Sequence, residues 1–304
     1  MGTPDFAVPS LKKLIESRHE VIAVFSQPDK PVGRKQILTP PPVKVLAQEN
    51  NIPVYQPRSL KNEDVTNLIN SLNADIIIVI AYGKILPKSV LEATKFGCVN
   101  VHASLLPKYR GAAPIQWSIL NGDDKTGVTI MQMDEGLDTG DMLCVTETDI
   151  NINETSEMLF ERLSVLGSDS LLTTLEKLEK GDIMPVPQPE GDYGYAQKIT
   201  KTMSPIDFTK SAFEVHNHIR ALQSWPCAST VILGKNVKIH SSVLCDETGR
   251  IAGEVVNNKD CLTVSCGDCK CIKILELQLE GKKRMDAKSF LMGFKIPIGT
   301  ILGE

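Results

Sequence analysis

A chain of 304 residues is long enough for one large or two medium domains. Its 42% hydrophobic and 23% charged residues are ordinary for a globular protein, and no apolar run approaches the ~20 residues that cross a bilayer. The formal net charge of −4 argues against a broad, nonspecific hold on nucleic acid.

That charge is unevenly spread. Residues 201–304 carry 14 Lys+Arg against 11 Asp+Glu, a net of +3, so the C-terminal part could meet phosphates locally or simply vary as surfaces do. Met1 to Val8 lacks the basic flank and apolar stretch of a secretory signal, which makes a cytoplasmic protein the expectation. Disulfides are then not expected among the eight cysteines. Cys98, Cys144, Cys227 and Cys245 are scattered, as small buried hydrophobes are. Cys261, Cys266, Cys269 and Cys271 cluster, and Cys266-x-x-Cys269 has metal-compatible spacing. No second CxxC stands apart from it, so no metal is expected.

Taken in order, the chain opens on Gly2-Thr3-Pro4-Asp5-Phe6, which reads as a loop leaving a strand, with Pro9-Ser10-Leu11 starting a helix. Val21–Phe25 reads as a buried strand that feeds the proline- and glycine-broken, cation-rich stretch Ser26–Lys35. Such a loop either binds a ligand or is a solvated surface loop. Helical stretches at Val43–Gln48 and Glu63–Leu72 flank a short strand at Pro53–Tyr55. Asp75–Ile80 is a second buried strand. It runs into Ala81-Tyr82-Gly83-Lys84-Ile85-Leu86-Pro87, where small residues would let a flat ligand approach the backbone or would make a tight turn. Alternating strands and helices imply βαβ units, that is, an α/β, Rossmann-like, largely parallel sheet. Neither GxGxxG nor GxxxxGK[ST] occurs, so the fold class does not imply a nucleotide.

The next apolar run ends in Val99-Asn100-Val101-His102, followed by Ala103-Ser104-Leu105-Leu106-Pro107. Residues two apart on a strand share a face, so a carboxamide and an imidazole would project together beyond the strand's carboxyl end, where open α/β sheets bind ligands. After the strand-like Val128–Met131, Asp134–Asp141 supplies a carboxylate in Asp138. A neutral donor, a group that moves protons near neutrality and a carboxylate suit acyl transfer or hydrolysis.

Thr155–Lys180 carries leucines at helical spacing, Gly181 stops it, and residues 182–203, with Pro185, Pro187, Pro189, Gly191 and Gly194, have the composition of an extended linker. Beyond a helix at Ala212–Leu222, short alternating segments at Ala228–Leu233, Val237–Val243, Gly253–Val256, Leu262–Ser265 and Ile272–Leu279 suggest a small β-barrel.

Several of these segments together resemble folate-dependent formyltransferases. They are Asn100-x-His102, Ser104-Leu105-Leu106-Pro107, Arg110-Gly111-Ala112-Ala113-Pro114, Gly136-Leu137-Asp138-Thr139-Gly140, Gly2–Phe6 and Trp225-Pro226, agreeing in order and spacing. The resemblance implies a catalytic domain over 1–181, a linker over 182–203 and a tRNA-contacting, oligonucleotide-binding-type barrel over 204–304. It implies catalysis by Asn100, His102 and Asp138. It also implies a folate site lined by Ala81, Tyr82, Gly83, Ile85, Leu86, Pro87, Ser104, Leu105, Leu106 and Pro107, and acceptor-stem contacts by Arg34 and Lys35. The reaction it implies is formyl transfer from 10-formyltetrahydrofolate, a cosubstrate, to the α-amine of methionyl initiator tRNA by a monomer. Alternatives are another amine acceptor, or an inactive RNA-binding relative. Two departures stand out. The family usually carries an apolar strand ahead of the glycine at position 2, and Lys35, Gln36 and Ile37 replace its usual glycine and lysine pair.

Overall fold

The structure is a computed structural model that describes residues 1–33 and 35–303. In chain order its elements begin with α1 (Val8–Glu16), β1 (Val24–Phe25), the hairpin strands β2 (Lys30–Val32) and β3 (Ile37–Thr39), α2 (Pro42–Glu49), β4 (Val54–Tyr55) and α3 (Glu63–Ser71). Then come β5 (Ile77–Val79), α4 (Lys88–Leu91), β6 (Cys98–His102), β7 (Arg110–Gly111), α5 (Pro114–Leu120), β8 (Lys125–Gln132), β9 (Met142–Asp149) and α6 (Ser156–Lys180). The chain closes with β10 (Tyr195–Ala196), α7 (Ala212–Ala221), β11 (Ala228–Ile232), β12 (Lys235–Thr248), β13 (Val255–Asn257), β14 (Leu262–Ser265), β15 (Lys270–Leu279), β16 (Met285–Asp286) and α8 (Ala287–Gly293).

Two compact units result: residues 1–111, 126–148 and 160–195 form the first, and residues 112–125, 149–159 and 196–304 the second. In the first unit β1 pairs with β4 and β5 with β6 in parallel, as alternating strands and helices lead one to expect. The sheet around the candidate residues runs β5-β6-β8-β9, and β8 joins β6 antiparallel, so the parallel arrangement holds only for its first half. Gly167, in the middle of α6, is needed for close approach. A methyl there would lie 2.8 Å from the side chain of Val101, so glycine lets the helix settle against the strand that carries His102.

Met1 and Gly2 sit between β1 and β5 as one rung of a parallel ladder. Gly2 N donates to Phe25 O at 2.9 Å, the Met1 amine to Ile78 O at 2.6 Å, and Ile80 N to Met1 O at 2.9 Å. Behind that rung lies a cavity of about 560 Å³, bordered by residues 20–24 on one side and 74–78 on the other, with Leu11, Leu175 and Leu178 on its wall. None of the candidate catalytic residues lines it.

The second unit corrects the expectation of a barrel. Its sheet runs β11-β12-β15-β14-β13 with β16 beside β15, and the end strands β11 and β13 do not pair, so no sheet closes. Their outer backbone groups find partners in coil instead. Ser229 N donates to Ser204 O at 2.7 Å, Val255 N to Thr300 O at 2.9 Å, and Gly303 N to Val231 O at 2.9 Å. Edges satisfied by these segments do not need each other. One face of this sheet packs a core that includes Ile239, Leu262, Ile272 and Ile274, all fully buried, with Val215 and Ile219 of α7. Ser211 and Glu214 start α7 with a reciprocal capping box. Among the described residues, no helix is long and apolar enough to cross a membrane, and no group of three or more His, Cys, Asp or Glu could hold a metal ion.

Candidate active site

Strand β6 sets the geometry. Asn100 lies opposite Met131 and His102 opposite Thr129 across the β6–β8 ladder, so the two side chains leave the same face of the sheet. The Asn100 carboxamide nitrogen donates to Val79 O at 3.1 Å. That bond uses one of its two hydrogens and leaves the second as a donor of fixed direction.

His102 is only 6% exposed. Its Nε2 lies 2.9 Å from the carbonyl of Tyr109, and a carbonyl can only accept. Nε2 therefore carries a proton, and in the neutral ring Nδ1 is the basic nitrogen. Nδ1 faces Asp138 Oδ2 at 3.7 Å. The tautomer is thus set by a backbone carbonyl, while the carboxylate stands ready for the charge that protonation of Nδ1 would create.

The loop after β8 brings Asp138 there by folding back along β6. It starts beside Cys98, where Met133 N donates to Cys98 O at 2.8 Å, and Asp138 meets His102 at the opposite end of that strand. Asp134 holds the fold-back together by accepting from Thr139 Oγ1 at 2.7 Å and from Gly136 N at 3.0 Å. Asp138 itself has φ +54°, a left-handed conformation that aspartate tolerates better than most residues. Its Oδ2 accepts from Gly111 N at 2.8 Å.

The Ser104–Pro107 stretch is locked to β8. Thr129 Oγ1 donates to Ser104 O at 2.7 Å and accepts from Leu106 N at 3.1 Å, while Ser104 Oγ donates to Lys108 O at 2.6 Å. The ten expected folate-lining residues divide by exposure. Tyr82, Leu86, Ser104, Leu106 and Pro107 are buried, Leu105 and Pro87 are half-buried, and Ala81, Gly83 and Ile85 are exposed, Ile85 by 86%. Gln27 secures this loop by donating to the carbonyls of Tyr82 and Gly83 at 3.1 and 3.2 Å. An exposed apolar side chain, Ile85, two residues from a glycine at φ +75° would give a flat ring both a surface and access to backbone groups.

The cation-rich stretch forms a hairpin, with Lys30 opposite Thr39 and Val32 opposite Ile37. Val32, Ile37 and Leu38 are 56%, 61% and 64% exposed, and Lys35 is exposed too. Arg34 lies outside the described residues.

Sequence reasoning missed three contributors: Tyr109, whose carbonyl fixes the histidine; Gln27; and Gln188. Gln188 falls within the presumed linker, yet it is half-buried while Val186, Pro187 and Pro189 around it are exposed. Its amide contacts Arg110 and the backbone of the Asp138 loop. A polar residue between two prolines gave no warning of this.

The formyl transferase family matches residues 1–175, and the C-terminal domain of formyl transferases matches residues 198–295. The methionyl-tRNA formyltransferase of Alkaliphilus oremlandii is 47% identical over 306 aligned positions, covering 100% of this chain and 98% of the relative. The chain belongs to the methionyl-tRNA formyltransferase family. The Geobacter metallireducens member is 45% identical over 100% of this chain and 97% of its own length. Among solved structures, the sugar 3N-formyl transferase WlaRD matches with a TM-score of 0.70 at 24% identity, over 93% of this chain and 97% of that one, a likeness of fold.

Proposed function

We propose that this chain transfers the formyl group of 10-formyltetrahydrofolate to the α-amine of methionyl initiator tRNA, with Asn100, His102 and Asp138 as its working residues. The observation that carries the reading is the orientation of His102. With Nε2 committed to Tyr109 O, the free lone pair on Nδ1 points towards Asp138 on the face it shares with Asn100.

The folate supplies a formyl carbon bound to a nitrogen leaving group. As the amine attacks that carbon, the second amide hydrogen of Asn100 stabilises the charge growing on the formyl oxygen. His102 Nδ1 takes the proton that the amine must lose, and the Asp138 carboxylate stabilises the resulting imidazolium. The same proton is then returned to the departing folate nitrogen, so the histidine ends neutral. No covalent enzyme intermediate is needed.

The β2–β3 hairpin suits an acceptor-stem contact, since its exposed lysine and apolar side chains can meet phosphate and base together. In this reading Arg34 and Lys35 contact the tRNA, and so does the C-terminal unit. The protein acts as a monomer, in the cytoplasm where its charged tRNA substrate is made.

The test is formyl transfer from 10-formyltetrahydrofolate to methionyl initiator tRNA. His102→Ala should lower kcat by about 10²–10⁴ and Asn100→Ala by about 10²–10³. Full activity in either variant removes that residue from the mechanism. A folded wild-type chain that formylates only a different amine overturns the acceptor.

A further inference from the structure

Gln188 makes a complete set of hydrogen bonds with both sides of the Asp138 environment. Its Oε1 accepts from Arg110 Nε at 2.9 Å and from Arg110 Nη2 at 2.7 Å. Its Nε2 donates to the carbonyls of Asp138 at 2.9 Å and Gly140 at 2.8 Å. A guanidinium only donates and a carbonyl only accepts, so the amide has one allowed orientation and all of its hydrogen-bonding capacity is used. The segment carrying Gln188 is itself tied down, because Val186 and Met142 exchange backbone bonds of 2.8 and 2.9 Å across an antiparallel bridge.

The two groups that Gln188 joins are those that aim the Asp138 carboxylate. Arg110 precedes Gly111, whose backbone N donates to Asp138 Oδ2. The Asp138 carbonyl belongs to the left-handed residue that presents the same side chain, and the Gly140 carbonyl lies two residues further on. Asp134 closes its own loop but does not touch Arg110 or Gly111.

We propose that Gln188 is a positioning residue for the formyl transfer, splinting the Asp138 loop to Arg110–Gly111 and so holding the carboxylate in register with His102 Nδ1. The proposal rests on the catalytic role assigned above to Asp138. It gives one residue of the proline-rich segment a part in the chemistry. Because Gln188 acts through an orientation, its loss should act on kcat and leave folate binding nearly untouched.

A double-mutant cycle with Asp138→Asn tests it. Gln188→Ala should lower kcat about tenfold, short of the ~10²-fold that a 1 Å misplacement can cost, while KM for the folate stays within about twofold. In the Asp138→Asn background the same substitution should cost less than about twofold, because the group being positioned has already been disabled. Gln188→Glu separates the two halves of the splint. It keeps and strengthens the tie to Arg110 but sets a carboxylate oxygen against two carbonyls, so it should fall with the alanine variant. Gln188→Met, which keeps the bulk, replaces the alanine variant if the latter melts below the assay temperature. Wild-type kcat in Gln188→Ala overturns the proposal, as does an equal loss in both backgrounds or full activity in Gln188→Glu. If Asp138→Asn itself retains full activity, the assignment of Asp138 fails and the proposal goes with it. If Asp138→Asn is impaired and Gln188→Ala is not, only the proposal fails.

Discussion

At Gly140 a methyl group has nowhere to go. A Cβ built there would stand 1.7 Å from Gln132 O and 2.9 Å from the Gln132 carbonyl carbon, both backbone atoms that cannot step aside. Gly140→Ala should therefore displace the 134–141 loop. We expect a loss of about 1–3 kcal/mol of stability in urea unfolding and a fall in kcat of the order expected for Gln188→Ala. Unchanged stability and rate would mean that the loop absorbs the methyl group without disturbing either its packing or the Asp138 carboxylate. The same scale shows how the site residues differ in legibility. Asn100 and His102 could be read as a pair because a strand's period of two puts them on one face whatever the rest of the chain does. Tyr109 could not, because its contribution is a carbonyl, which every residue has.

The elements were readable where a single pattern dominates. α6 starts and stops within a residue of the leucine periodicity, and α3 and α7 begin at Asn62 and Ser211, whose side chains cap them. The hairpin β2–β3 went unread because Pro31 and Gly33 look like loop residues and none of its residues is buried, so no apolar alternation marks it. β12 is 14 residues long, twice the alternating run read from sequence, because bulges near Ser241 and beyond Cys245 interrupt the alternation without ending the pairing.

The Met1–Gly2 rung belongs to this scale too. Burial pushes the Met1 amine down from 8.0 to about 5. Wherever that amine is free, the unfolded chain holds a proton between pH 5 and 8 that the folded chain has released. Stability should then be fullest above pH 8 and decline as pH falls towards 5, by about 4 kcal/mol at most. Thermal melts across that range check it. A variant with five apolar residues joined ahead of Met1 has no amine there and can continue the parallel pairing alongside residues 20–24 and 74–78. It should melt higher and lose that pH slope. A flat profile for the free amine would show that its burial does not shift its titration, and no gain on extension that added pairing there does not stabilise the fold.

For the whole molecule, charge provides the next test. With −4 overall and a net of +3 over residues 201–304, attraction to tRNA must come from local patches. Binding that neutralises even three phosphates should weaken roughly 10-fold or more between 50 and 200 mM salt. KM for the tRNA should rise accordingly while KM for the folate stays level. Equal salt dependence for both substrates would point to an effect on the catalytic unit and not on phosphate contacts.

By itself the sequence determined the α/β class, the strand that carries Asn100 and His102 and the long helix behind it. Each rests on a local period or a local motif, which the chain expresses without help from distant residues. Whether the C-terminal strands close was decided only in the tertiary structure. Strand alternation shows which face is buried but not which edge meets which, and the coil at 204–206 and 299–303 occupies the edges. Tertiary structure also chose the basic nitrogen of His102 and gave Gln188 its partners. Both depend on backbone carbonyls and a guanidinium brought together from segments up to 78 residues apart, and no spacing along the chain encodes that meeting.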